Sequence, residues 1–264
     1  MIGAAQDRRG FALVVVLWLL AVIAGLAATA VAYFHRPVLA LRRAEAAAAG
    51  QVASAAVARA ALALLTPSEA AGIRRDGRGG WTLAIGGRRV TVTVQDEAGR
   101  IDLNTAAPEL LEALFAAAGA PDPGALAAAV LDWRDEDGLR RPGGGEAEDY
   151  AARGLPWVPR NARFESVGEL QRVIGMTPAL HARLAPDLTV HGLTEGADPA
   201  VATPNVAALL RRRPGAAAAS PGVAFTVAAA LDGPDGRPVR RSAVVWLTQR
   251  PEEPFRVLAW GEGR

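Results

Sequence analysis

The chain has 264 residues, 51% of them hydrophobic, enough for one or two domains with a sizeable core. Gly and Pro together make up only about a sixth, which excludes collagen-like and low-complexity chains. The formal charge is +2 with every basic residue an Arg, so a pI near 9.8 reflects side-chain type more than charge excess and does not imply a histone-like nucleic-acid binder. Cysteine is absent, which removes disulfides, iron–sulfur ligation and thiol nucleophiles. His35, His181 and His191 are scattered without metal-ligand spacing.

Residues 11–34 carry no charge. A helix of that length spans a hydrocarbon core of about 30 Å, and the run exceeds the apolar region of a secretory signal. Arg8 and Arg9 precede it and Arg36, Arg42 and Arg43 follow, so charge alone leaves orientation open. Beyond it an alanine-rich helix is predicted to residue 66, with Leu39, Val52, Ala56, Leu62 and Leu65 as its apolar stripe. A helix that leaves a membrane and continues into water reads as a stalk carrying a head.

Residues 81–85 and 90–94 alternate as two strands about a Gly86-Gly87 turn. Asn104 or Thr105 is expected to cap a helix over residues 108–118, and residues 125–133 continue helically. Residues 132–149 then hold Asp132, Asp135, Glu136, Asp137, Glu146, Glu148 and Asp149 around Gly143-Gly144-Gly145, against Arg134, Arg140 and Arg141. Carboxylates on a Gly-rich return suit a hard cation such as Ca2+; on spacing alone a solvated charged loop is the better account of them. An EF-hand is excluded, because with Asp135 first the required sixth-position Gly is Arg140. Ser166 and Glu169 form a capping box, Gly175 ends that helix, and Thr177-Pro178 opens the next, giving a hairpin-like helix pair with Leu170, Val173, Ile174, Leu180 and Leu184 inward. A short helix is expected over residues 204–210 ahead of Arg211–Arg213, then strands over 224–231, 240–248 and 256–260.

Several of these segments resemble a known family. Arg8-Arg9-Gly10-Phe11 followed directly by the apolar run is similar to a type IV prepilin leader. The resemblance implies cleavage by the prepilin peptidase between Gly10 and Phe11 and methylation of the new N-terminus at Phe11. Pilin-like subunits usually carry Glu at the fifth mature residue, where this chain has Val15. A membrane-buried Glu is expensive without a positive partner, and a subunit with no neighbour above it offers none. That departure, with Asp132-Trp-Arg-Asp-Glu-Asp137 and Glu148-Asp149-Tyr150, resembles the K minor pseudopilins of type II secretion.

The resemblance implies an α+β fold. Its parts are a leader over 1–10, a transmembrane helix over 11–34, a periplasmic half-stalk over 35–66, a pseudopilin β-sheet over 80–100 and 220–262, and an inserted helical, helix–hairpin–helix-like domain over 101–216. It implies single-pass anchoring in the bacterial inner membrane with a periplasmic head, the I and J minor pseudopilins as partners at the pseudopilus tip, and structural Ca2+ held by Asp132, Asp135, Asp137, Glu148 and Asp149. The alternative is a membrane-tethered nucleic-acid-binding protein of the DNA-uptake type, since helix–hairpin–helix units hold phosphates through backbone amides and nearby Arg. No basic, aromatic-interleaved patch supports it, and the acidic loop would repel phosphate. A membrane-anchored enzyme is the third class. No nucleophile motif is present, and a chain without Lys has no phosphate-binding G-x-x-x-x-G-K loop, so no catalysis is expected.

Overall fold

The computed structural model describes residues 7–65, 78–233 and 236–261. Helix α1 (Asp7–Leu65) runs for 59 residues, about 89 Å at the α-helical rise. Residues 1–6 of the expected leader lie outside the described residues, as do the side chains at Gly10 and Phe11. The stretch Leu13–Ala30 is long and apolar enough to cross a membrane, and none of its residues is buried in the protein.

The second half of α1 packs on a five-stranded antiparallel sheet of order β1-β2-β5-β6-β7: β1 (Arg78–Ile85), β2 (Arg88–Asp96), β5 (Ala224–Asp232), β6 (Pro238–Arg250) and β7 (Glu253–Gly261). Gly86 and Gly87 both have positive φ (56° and 75°), the two-residue turn whose twist suits a hairpin. Alternation does the sorting: Val90, Val92 and Val94 face the helix, while Arg89, Thr91 and Thr93 face away.

The buried face of α1 differs from the expected stripe. Ala49, Ala53, Ala56, Val57, Ala60, Ala61 and Leu64 are buried, whereas Leu62 is 48% exposed. Small side chains let the helix axis lie close to a sheet already filled with Val and Phe, so alanine rather than leucine marks the contact. Leu39 lies outside the described side chains.

Between β2 and its sheet neighbour β5 the chain leaves for a second core. It comprises β3 (Ile101–Asp102), α2 (Pro108–Ala117), α3 (Pro123–Arg134), α4 (Ala147–Ala152), α5 (Pro178–Leu184), β4 (Leu188–Thr189) and α6 (Pro204–Arg212), with 3-10 turns between. β3 and β4 pair in parallel, Ile101 with Leu188 and Asp102 with Thr189. Ile101, Leu103, Leu111, Phe115, Tyr150, Leu170, Leu180 and Leu184 form its interior. The expected cap of α2 is corrected. Its N-cap is Ala107, with no side-chain bond. Asn104 instead exchanges two hydrogen bonds with the Phe164 backbone, at 3.0 and 2.7 Å. Thr105 Oγ1 donates to Thr194 O at 2.5 Å. Both side chains tie distant segments, a long-range use that local capping patterns do not signal. Ser166 and Glu169 do form the capping box, on a 3-10 rather than an α-helical turn.

Candidate functional site

Two regions concentrate polar chemistry: the acidic loop of the helical domain, singled out in the sequence, and the junction joining that domain to the sheet, which the structure adds.

The loop begins where α3 ends. Asp122 caps α3, accepting from Ala125 N at 2.9 Å, with Pro123 at the first helical position. Near the other end, Asp132 is fully buried. Its Oδ1 accepts from Arg141 Nη1 at 2.9 Å and its Oδ2 from Gly145 N at 2.9 Å. Arg141 N reaches both oxygens, at 3.3 and 3.2 Å. The Gly run is a steric consequence of this closure. A Cβ on Gly144 would lie 2.0 Å from Asp132 Oδ2, and Gly143 turns at φ 82°.

The remaining expected ligands divide. Asp135 Oδ2 pairs with the same Arg141 Nη1. Asp149 accepts from Glu146 N at 2.9 Å, capping α4, and from Arg140 Nη1 at 2.9 Å. Asp137 accepts from Leu139 N at 2.8 Å, an Asx turn. Glu148 is exposed in the first turn of α4, where a negative charge suits the helix N-terminus. Asp132 and Asp135 are therefore brought together, on a guanidinium, while Asp137, Glu148 and Asp149 each have separate roles.

The electrostatics follow the geometry. Bonds to Asp135 and Asp132 push the Arg141 guanidinium pKa up. The backbone N–H of Glu146 is the main cause holding the Asp149 carboxyl below its usual range. Glu146, which the sequence reading left out of the site, is raised by burial first and then by Asp132, Asp135, Asp137 and Asp149. Two oxygens shut from solvent, Asp135 Oδ1 and Glu146 Oε1, have no hydrogen-bond partner among the described residues.

A hard divalent cation takes six to eight oxygens. Among the described residues no three acidic or His groups gather to hold one. Asp132 has both oxygens filled by N–H donors, so the expected Ca2+ set does not assemble in this arrangement. Arg134, the third base of the segment, points away and donates to Leu103 O and Ala106 O at 2.6 and 2.9 Å.

An aromatic floor lies under the loop. Trp133 sits 6.0 Å from both Tyr150 and Phe164, centroid to centroid, and all three are buried. Tyr150 Oη accepts from Ile174 N at 3.2 Å, and burial pushes its phenol to about 12.

At the junction Glu97 is a clamp. Its Oε1 takes Arg100 Nη1 at 2.6 Å and Thr226 Oγ1 at 2.5 Å, and its Oε2 takes Thr189 Oγ1, so one buried carboxylate joins β4 of the helical domain to β5 of the sheet. Asp102 accepts from Asn104 N at 2.7 Å and Leu193 N at 2.9 Å. A Cβ on Gly99 would lie 2.0 Å from Val201 O, which leaves glycine alone able to pass there.

The hairpin offers little to phosphate. Arg183 Nε donates to Ala118 O at 2.9 Å at the end of α2, and His181 Nε2 lies 3.2 Å from Val167 O. These two contacts are made to the domain's own backbone and lend no support to the nucleic-acid alternative.

Residues 91–192 match the family model described as type II secretion system (T2SS), protein K. The type II secretion system protein K of Pectobacterium carotovorum subsp. carotovorum is 38% identical over 61 residues, 23% of this chain and 19% of that relative's length. A chain of the crystal structure of the GspK-GspI-GspJ complex from the enterotoxigenic Escherichia coli type 2 secretion system aligns with TM-score 0.59 at 14% identity, covering 89% of this chain and 99% of that one. The two share the α+β fold.

Proposed function

We propose that this chain, which carries a type II secretion system protein K domain over residues 91–192, is a minor pseudopilin that joins the I and J minor pseudopilins at the tip of the periplasmic pseudopilus. The observation that carries the reading is the placement of the helical domain. It leaves the sheet between the adjacent strands β2 and β5 and builds a core of its own, separate from that of the α1–sheet unit. A subunit buried within a filament must fit between copies above and below, and a head widened by a second domain suits the end position.

The stalk supports the same reading. Leu13–Ala30 exposes its apolar surface and needs lipid or other stalk helices around it. Val15, exposed in this stretch, requires no charged partner from a preceding subunit. In this account the helix anchors the chain once in the inner membrane, the prepilin peptidase cuts between Gly10 and Phe11, and the head lies in the periplasm. The role is assembly, not catalysis.

The test is co-expression of the full chain with the I and J pseudopilins and the prepilin peptidase of the same cell. Affinity capture of this chain should recover both partners, and its intact mass should correspond to a chain beginning at a methylated Phe11. Recovery of neither partner, with an intact Met1, would overturn the proposal.

A further inference from the structure

We infer that Arg141 supplies from within the chain the positive charge that a bound divalent cation would otherwise supply to the acidic loop, so that the loop closes without metal. The inference is independent of where the subunit sits in a filament.

Asp132 is wholly buried, and an ionised carboxylate in that position needs compensation by charge and hydrogen bonds together. Arg141 provides both. Its Nη1 lies against Asp132 and Asp135 at once, and its own backbone N–H covers the two oxygens of Asp132. Gly145 N adds a further donor to Oδ2. An oxygen lone pair directed at an N–H is not available to a metal, so guanidinium and cation are alternatives at Asp132. A guanidinium stays charged at every accessible pH and spreads its donors in a plane, which suits it to hold two carboxylates. Arg140 repeats the device at the surface, pairing with Asp149. The glycines at 143 and 144 make the closure possible, because a side chain at 144 would enter the space of the Asp132 carboxylate. Within the closed loop the buried acidic oxygens without a partner among the described residues, Asp135 Oδ1 and Glu146 Oε1, come from two carboxylates, short of the oxygen shell that calcium takes.

The test is thermal unfolding of the full chain in detergent, followed by circular dichroism, with excess calcium chloride or with EDTA. The wild-type midpoint should agree between the two conditions within about 1 °C. Arg141→Gln should lower the midpoint in EDTA by about 6–20 °C, and calcium should restore part of that loss, because the freed Asp132 and Asp135 oxygens then join Glu146. Arg140→Gln, which removes an exposed pair, should shift it by no more than about 2 °C. A wild-type midpoint that falls by several degrees on chelation would overturn the inference. So would an Arg141→Gln protein as stable as wild type, or one that calcium leaves unchanged. If Arg141→Gln does not fold, the wild-type chelation comparison decides alone.

Discussion

Gly144→Ala adds one methyl group at a position with no room for it. The new Cβ would stand 2.0 Å from Asp132 Oδ2, 2.9 Å from Asp132 Cγ and 3.2 Å from Arg141 O. None of these is the free end of a flexible side chain: Asp132 is held by Arg141 and Gly145, and the third contact is backbone. Relief requires the carboxylate to leave its donors or the loop to lift away. Either change leaves a buried charge short of its partners, at a cost of about 3–5 kcal/mol. For a protein of this size that corresponds to a drop of about 6–20 °C in Tm. Gly138→Ala is the matched control, since a Cβ there meets nothing within 4 Å in the same loop, and it should be neutral or slightly stabilising. Thermal unfolding by circular dichroism, with limited proteolysis at the Arg140-Arg141 pair, measures both. A Gly144→Ala protein melting within about 1 °C of wild type, with the loop still resistant, would show that the Asp132 socket does not hold the loop.

Tyr150→Phe keeps the aromatic floor but leaves Ile174 N–H without its acceptor, and should cost about 1–3 kcal/mol in denaturant-midpoint measurements. Glu97→Ala removes the carboxylate shared by Arg100, Thr189 and Thr226 and should destabilise by about 3 kcal/mol, with faster amide exchange in β4 and β5 if the clamp joins the domains as described. Asp96 accepts from Ser220 Oγ and Ala98 N, yet burial, helped by Glu97 and Asp198, leaves its pKa raised. A raised folded pKa means that the native state holds the proton more tightly, so this group's contribution is present at low pH and is lost as pH rises through the folded value. Asp96→Asn should therefore match or exceed wild-type stability at pH 8 and lose that advantage below the ordinary Asp range near 3.8. A wild-type protein more stable than Asp96→Asn at pH 8 by about 2 kcal/mol would contradict the sign.

Local patterns made the sheet legible. The alternation of Val90, Val92 and Val94 and the Gly86-Gly87 dipeptide specify a hairpin within a few residues, and the structure has it. The Ser166–Glu169 capping box and the Thr177-Pro178 start were visible for the same reason, each being satisfied within one turn. Pairings across long stretches of chain left no such trace. The β3–β4 pair is two residues long on each side, and Asn104 meets Phe164 from 60 residues away, so neither produces periodicity. The stalk's packing face was legible only in part: Ala56 and Val52 of the expected stripe meet the sheet core while Leu62 faces out, because close approach to the sheet selects alanine over larger apolar side chains. At the acidic loop the residue types were legible but their partners were not. Seven acids and three arginines in one segment fit a metal cage or a set of ion pairs alike, and the difference lies in where Arg141 turns.

The tip position is tested most directly by locating single subunits on assembled pseudopili. The chain has no Cys, so Ala200→Cys, at an exposed site of the head, gives a unique thiol for a gold-maleimide label. Pseudopili assembled with the labelled chain and imaged by electron microscopy should carry gold at one end only. Gold spaced at intervals along the shaft would contradict the account.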